Sequence, residues 1–176
     1  MLQNEVDLTV IHNVPCSQVE IWNFLENAFR PAPQDPFDQM FVNIVSDERA
    51  LAKENLKGNT ELEWHIDKGY SENPPEYVAL YSVDISERRW FRRKYRKVEH
   101  DLVQGDKQGV YLYYCEAYND LPEMKMIKEK LYDSNKIHRH KWQKGQLLIY
   151  NNKATNHKRE NGGSKRHLWK IALYER

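Results

Sequence analysis

Long apolar runs are missing from this 176-residue chain: no stretch approaches the roughly 18 consecutive apolar residues of a membrane span. No membrane partner is expected. The opening MLQNEVDLTV has no basic segment leading into an apolar run, so the expectation is a cytoplasmic chain with no leader. Cysteine is scarce. Cys16 and Cys115 are far apart and lack CxxC spacing, which excludes a zinc knuckle or redox pair and suits reduced thiols. Excess charge of one sign is absent too, because 27 basic and 26 acidic side chains leave a net +1 and no global field to attract a polyanion. What is present is aromatic: five Trp, eleven Tyr and a hydrophobic share of 40% can fill a core. At this length one core is expected, so residues 1–176 are taken as a single domain of undetermined oligomeric state.

Along the chain, Val6, Leu8 and Val10 alternate as in a strand. Ser17 and Glu20 have capping-box spacing ahead of Val19, Ile21, Trp22, Leu25 and Phe29, which predicts an amphipathic helix. RPAPQDPF at 30–37 holds three prolines and is expected to be an irregular loop. A second helix is signalled around Pro122, with Met124, Ile127 and Leu131 on one stripe. Residues 41–45, 61–67, 76–83, 110–115, 146–150 and 167–174 are rich in β-branched and aromatic residues and read as strands. Turn residues separate them at Asn73-Pro74-Pro75, Gly105-Asp106, Lys144-Gly145 and Asn161-Gly162-Gly163. The order predicts a mainly β sandwich or barrel with a few flanking helices.

Of seven histidines, only His65 is followed two residues later by a carboxylate, Asp67. On a strand those side chains share a face, as two metal ligands must. A third ligand has to come from elsewhere, and two His with one carboxylate is the set of non-haem Fe(II) oxygenases. His157 lies nine residues before Arg166, with Asn161-Gly162 centred between them. A type I′ turn there would oppose His157 and Arg166 across a hairpin, whereas a turn at Gly162-Gly163 would oppose His157 and Leu168. Arg166 offers the planar fork that suits a carboxylate. Arg159 shares the expected face of His157, and Trp64 and Tyr70 are further candidates for a substrate pocket. His138 and His140 lack an accompanying carboxylate and are read as ordinary polar residues.

WHID, the segment KGYSENPPEYVALY, the stretch HKWQKGQLLIYNNKATNHKR and the closing RHLWKIAL resemble the taurine dioxygenase-like (TauD/TfdA, clavaminate-synthase-like) 2-oxoglutarate oxygenases from about residue 40 onward. The resemblance implies a double-stranded β-helix, the cupin-like jelly roll, with Fe(II) held by His65, Asp67 and His157. It implies that Arg166 takes the distal carboxylate of 2-oxoglutarate, that O2 is the co-reactant, and that an unidentified small molecule is oxidised, most simply by hydroxylation. Lys170 stands where many relatives carry a second Arg near the substrate. Gln146 and Asn151 depart from the Asp that relatives carry there, which predicts altered polar contacts around the site.

One segment belongs to none of this. Arg88 to Lys97 packs seven cations into ten residues with interleaved aromatics, a composition suited to single-stranded nucleic acid. The alternative function is therefore a non-catalytic jelly-roll binding protein that uses this run on nucleic acid.

Overall fold

The computed structural model describes residues 8–14, 17–32, 41–46, 62–69, 71–84, 103–106, 109–112, 129, 132, 137–159 and 166–176. In chain order the elements are β1 (Leu8–Ile11), α1 (Gln18–Glu26), β2 (Arg30–Ala32), β3 (Val42–Ser46), β4 (Leu62–His65), β5 (Tyr77–Asp84), β6 (Val103–Asp106), β7 (Gly109–Leu112), β8 (Leu147–Asn151), β9 (His157–Arg159) and β10 (Arg166–Tyr174).

The main sheet runs β1-β8-β5-β10-β2, with every pairing antiparallel. The nine residues of β10 are long enough to take two partners along their far edge, β3 opposite Arg166–Lys170 and β2 opposite Ala172–Tyr174. A second, two-stranded sheet pairs β4 with β9, and a third pairs β6 with β7.

Strand alternation divides the main sheet into two apolar faces. On one, Ala79, Tyr81, Leu147, Ile171 and Leu173 pack with Ile21 and Leu25 of α1 and with Phe41. On the other, Val78, Leu148 and Tyr150 cluster with Leu8, Val10 and Leu80. The second face carries the polar site.

The capping box starts α1 as expected: the Glu20 amide donates to Ser17 Oγ at 3.2 Å and the Ser17 amide to the Glu20 carboxylate at 3.0 Å. Ile21 and Leu25, one turn apart, are fully buried. Val19 is not on their stripe. It lies about 200° round the helix from Ile21 and is half exposed, as is Phe24.

Three other expectations are corrected. Arg30–Ala32 is a strand, not irregular loop, and its Pro31 sits opposite Leu173 at the sheet's edge, where a missing donor breaks no central ladder. Gly105 and Asp106 do not form a turn but belong to β6, opposite Val110 and Gly109. Neither hairpin register forms between His157 and β10, because β9 pairs with β4 while β10 pairs with β3, β5 and β2. Lys144-Gly145 is a turn as expected: Gly145 has φ +75°, which glycine adopts without strain, and its amide donates to the Ser82 carbonyl. The predicted helix around Pro122 lies outside the described residues apart from a helical Glu129. So do Tyr70, both cysteines and the basic run 88–97.

Candidate metal centre

β4 ends at His65, and the chain turns immediately. Asp67 is thus in a turn, not on the strand, and does not reach the site by simple alternation. Lys68 takes φ +54°, the Gly69 amide donates to the Ile66 carbonyl, and the Ser71 amide to that of Lys68. A Cβ on Gly69 would come within 2.9 Å of the Ile66 side chain, so a larger residue here forces the turn to shift.

Asn152, wholly buried just after β8, clamps this turn. Its Oδ1 accepts the Asp67 amide at 2.7 Å, while its Nδ2 donates to the carbonyls of Asp67 at 3.0 Å and Pro75 at 2.9 Å. Asn151 shapes the other end of the same connection. Its side-chain oxygen accepts the amides of Lys153 and Ala154, in the manner of an Asx turn, and its carbonyl accepts the Thr155 amide. The chain is thereby delivered to β9 in a register that sets His157 directly opposite His65.

His65, Asp67 and His157 come together with ligand-type atoms all within 4.8 Å of one another. The imidazole rings are 4.3 Å apart between centroids, and His157 Nε2 is 3.6 Å from Asp67 Oδ2. That nitrogen faces the carboxylate, while Nδ1 is buried with no hydrogen-bond partner among the described residues.

Two donors hold the carboxylate. Lys170, reaching across from β10, donates to Oδ1, and the Tyr150 hydroxyl from β8 donates to Oδ2 at 2.6 Å, lying also 3.3 Å from His157 Nε2. Burial alone would raise the Asp67 carboxyl. The charge of Lys170, the neighbouring His157 and the two hydrogen bonds outweigh it and hold the group well below the usual carboxylate range. Burial, followed by the Asp67 charge and its hydrogen bond, pushes the Tyr150 phenol well above its ordinary 10.0, so it remains a neutral donor. His157 is pushed down to about 3, chiefly by burial, with His65 and Lys170 adding to it and Asp67 opposing. At neutral pH its imidazole is uncharged, so its approach to Asp67 is not an ion pair.

An anionic carboxylate facing two imidazoles, one of them held neutral, fits a divalent first-row metal. The arrangement matches the set with open positions used by non-haem Fe(II) oxygenases.

Other predicted residues are placed less centrally. Arg166 opens β10 opposite Ser46, four residues before Lys170. Arg159 is half buried on β9, two residues beyond His157 and opposite Leu62. Trp64 is not brought to the cluster: it stacks on Tyr132 at 4.4 Å with Lys158 5.5 Å from its ring centre. Both Trp64 and Lys158 immediately adjoin the paired histidines, so alternation turns them to the opposite face. Gln146 accepts the Gln143 amide and contacts His12, which braces the turn before β8 and leaves the metal cluster untouched. Tyr150 went unnoticed in the sequence reading. The available signal was its alternation with Leu148, which sets a phenol on a buried face where its hydroxyl needs a partner.

The model of the taurine catabolism dioxygenase TauD, TfdA family matches residues 116–172, a span that includes Tyr150, His157, Arg166 and Lys170. Over that span the chain is similar to the TauD/TfdA family. Among solved structures, PvcB from Pseudomonas aeruginosa superposes with a TM-score of 0.67 at 16% identity, over 96% of this chain and 75% of that one. A second PvcB structure, described as an Fe, alpha-ketoglutarate dependent oxygenase from an isonitrile synthetic pathway, gives 0.69 at 17% over the same shares. The non-heme iron oxygenase OrfP, in complex with (3S)-hydroxy-L-Arg, gives 0.63 at 13%, over 97% of this chain and 75% of that one. No curated protein matches the sequence. The fold is the expected jelly roll, with antiparallel strands and α1 outside the main sheet among the described residues.

Proposed function

We propose that the protein is an Fe(II)- and 2-oxoglutarate-dependent oxygenase, most simply a hydroxylase, acting on a small molecule in the cytoplasm. The observation that carries the reading is the convergence of His65, Asp67 and His157 from residues far apart in sequence, within a TauD/TfdA-like chain. Iron bound there, with 2-oxoglutarate and O2, supplies oxidising power by coupling decarboxylation to succinate and CO2 with oxidation of a substrate C–H bond.

The protein's own work is to hold and orient. Under this reading His65, Asp67 and His157 are the metal ligands, and the Asn152 clamp sets where the Asp67 turn presents its carboxylate. Tyr150 donates to that carboxylate as a neutral phenol. Arg166 is assigned the distal carboxylate of 2-oxoglutarate, whose flat, two-oxygen geometry its guanidinium matches. Lys170 and Arg159 are assigned to an anionic group of the substrate. The hydroxylated arginine bound by OrfP supports a small polar substrate.

Anaerobic addition of Fe(II) and 2-oxoglutarate is the direct test. A visible metal-to-ligand charge-transfer band is expected in the wild type and not in His157→Ala. Absence of the band in the wild type would overturn the iron-site reading.

A further inference from the structure

Both oxygens of the Asp67 carboxylate carry a donor, but the two donors differ in kind. Tyr150 is a neutral phenol, which can stay hydrogen-bonded to a carboxylate that also binds a cation. Lys170 brings a full positive charge, and a second cation on the same carboxylate meets it as a like charge at contact distance. Asp67 does not depend on Lys170 for its position, because Asn152 holds its amide and carbonyl directly. Lys170 itself is anchored through its backbone, opposite Val42 on one side and Leu80 on the other. Its side chain retains 19% of its exposure, so the flexible stem has a route toward solvent without any movement of β10.

We propose that Lys170 is an internal counter-cation for Asp67, which a divalent metal must displace to bind. The inference rests on the reading of His65, Asp67 and His157 as metal ligands. Lys170 neutralises the buried carboxylate while the site waits for metal, and competition with it sets the metal affinity. Metal arrival then frees the amine.

Mn(II) alone, followed through the electron paramagnetic resonance of the free ion, tests this on the full chain. Lys170→Met is expected to bind Mn(II) about tenfold or more tightly than wild type, the scale on which one adjacent cation shifts a carboxylate's preference for its free form. Lys170→Arg, which keeps the charge, should bind far more weakly than Lys170→Met. Lys153→Met, which removes a cation that pairs with Glu76, should bind as wild type does. Equal or weaker binding by Lys170→Met would overturn the proposal.

A second measurement needs no variant. Labelling of Lys170 by an amine-acetylating reagent, read by mass spectrometry, should speed up several-fold when the wild type is saturated with Mn(II). An unchanged or slower rate would count against displacement. Should wild type and every variant fail to bind Mn(II), the metal-centre reading falls with the inference. If wild type binds and Lys170→Met gains nothing, the inference alone fails.

Discussion

Asn152 grips Asp67 by the backbone and leaves its carboxylate to other partners, taking the amide at 2.7 Å and giving to the carbonyl at 3.0 Å. A side-chain amide can satisfy a peptide unit in this way because it carries one acceptor and two donors. Asn152→Ala would strand three hydrogen-bonding groups in a buried setting, the third being the Pro75 carbonyl. The expected loss is about 3 kcal/mol of stability, at about 1 kcal/mol per bond, measured as a drop in urea midpoint. Metal affinity should fall as well, on the order of 10- to 100-fold, as it does when partners that orient ligands are removed.

Tyr150→Phe removes one donor from the Asp67 carboxylate while keeping the ring. A hydrogen bond to a charged group contributes about 1.5–3 kcal/mol, and the metal-free protein should lose that much in equilibrium denaturation. With Fe(II) and 2-oxoglutarate bound, the charge-transfer band should move in energy, since Asp67 becomes the more strongly donating ligand. An unmoved band would mean that the phenol does not contact the bound carboxylate.

Acid should weaken the metal-free fold at pH values where ordinary carboxylates are still ionised. His157 has an ordinary value of 6.5 and is pushed down to about 3 in the folded chain, so below about pH 6.5 the unfolded chain binds the extra proton. The stability it contributes is present above 6.5 and is lost as pH falls toward 3. Asp67 acts in the same direction but lower, from its ordinary 3.8 downward. Melting temperature in chelator should therefore fall between pH 7 and pH 5, and His157→Gln should flatten that slope.

Gly69→Ala should damage the turn that carries Asp67. The added methyl meets the Ile66 side chain at 2.9 Å, and Ile66 is itself buried. Overpacking of this kind costs about 1–3 kcal/mol. Calorimetry should show the lower melting temperature, and saturating Mn(II) should restore part of it by binding only the folded form.

Arg166→Met tests the cosubstrate assignment. The apparent KM for 2-oxoglutarate should rise about tenfold or more, in keeping with the loss of a charge-assisted pair. Metal affinity should be little changed. A parallel loss of metal binding would place Arg166 at the metal cluster instead.

The sequence was most legible where the determinants are local. Ser17 and Glu20 announce α1 within four residues, and the apolar runs at 76–83, 146–150 and 167–174 mark three neighbouring strands of the main sheet. The His65-x-Asp67 spacing singled out two residues of the cluster, although the reason given for it was wrong: a turn and an asparagine clamp, not strand alternation, bring Asp67 round. Strand pairing was the illegible part. Alternation says which residues share a face, but not which distant strand lies opposite, so a local turn signal at Asn161-Gly162 suggested a hairpin where β9 pairs with β4. Pro31 misled for a related reason, because edge or centre is a property of the assembled sheet.

The cluster's contacts to Asp67 span 83 residues to Tyr150, 85 to Asn152 and 103 to Lys170. Nothing near position 67 in the chain could stand in for them. During synthesis, a ribosome that has delivered Asp67 has delivered neither its clamp nor its second histidine, and closing contacts of such long range is slow. The cluster is therefore completed only once β8, β9 and β10 are in place, which makes it a property of the assembled sheets and not of any one segment.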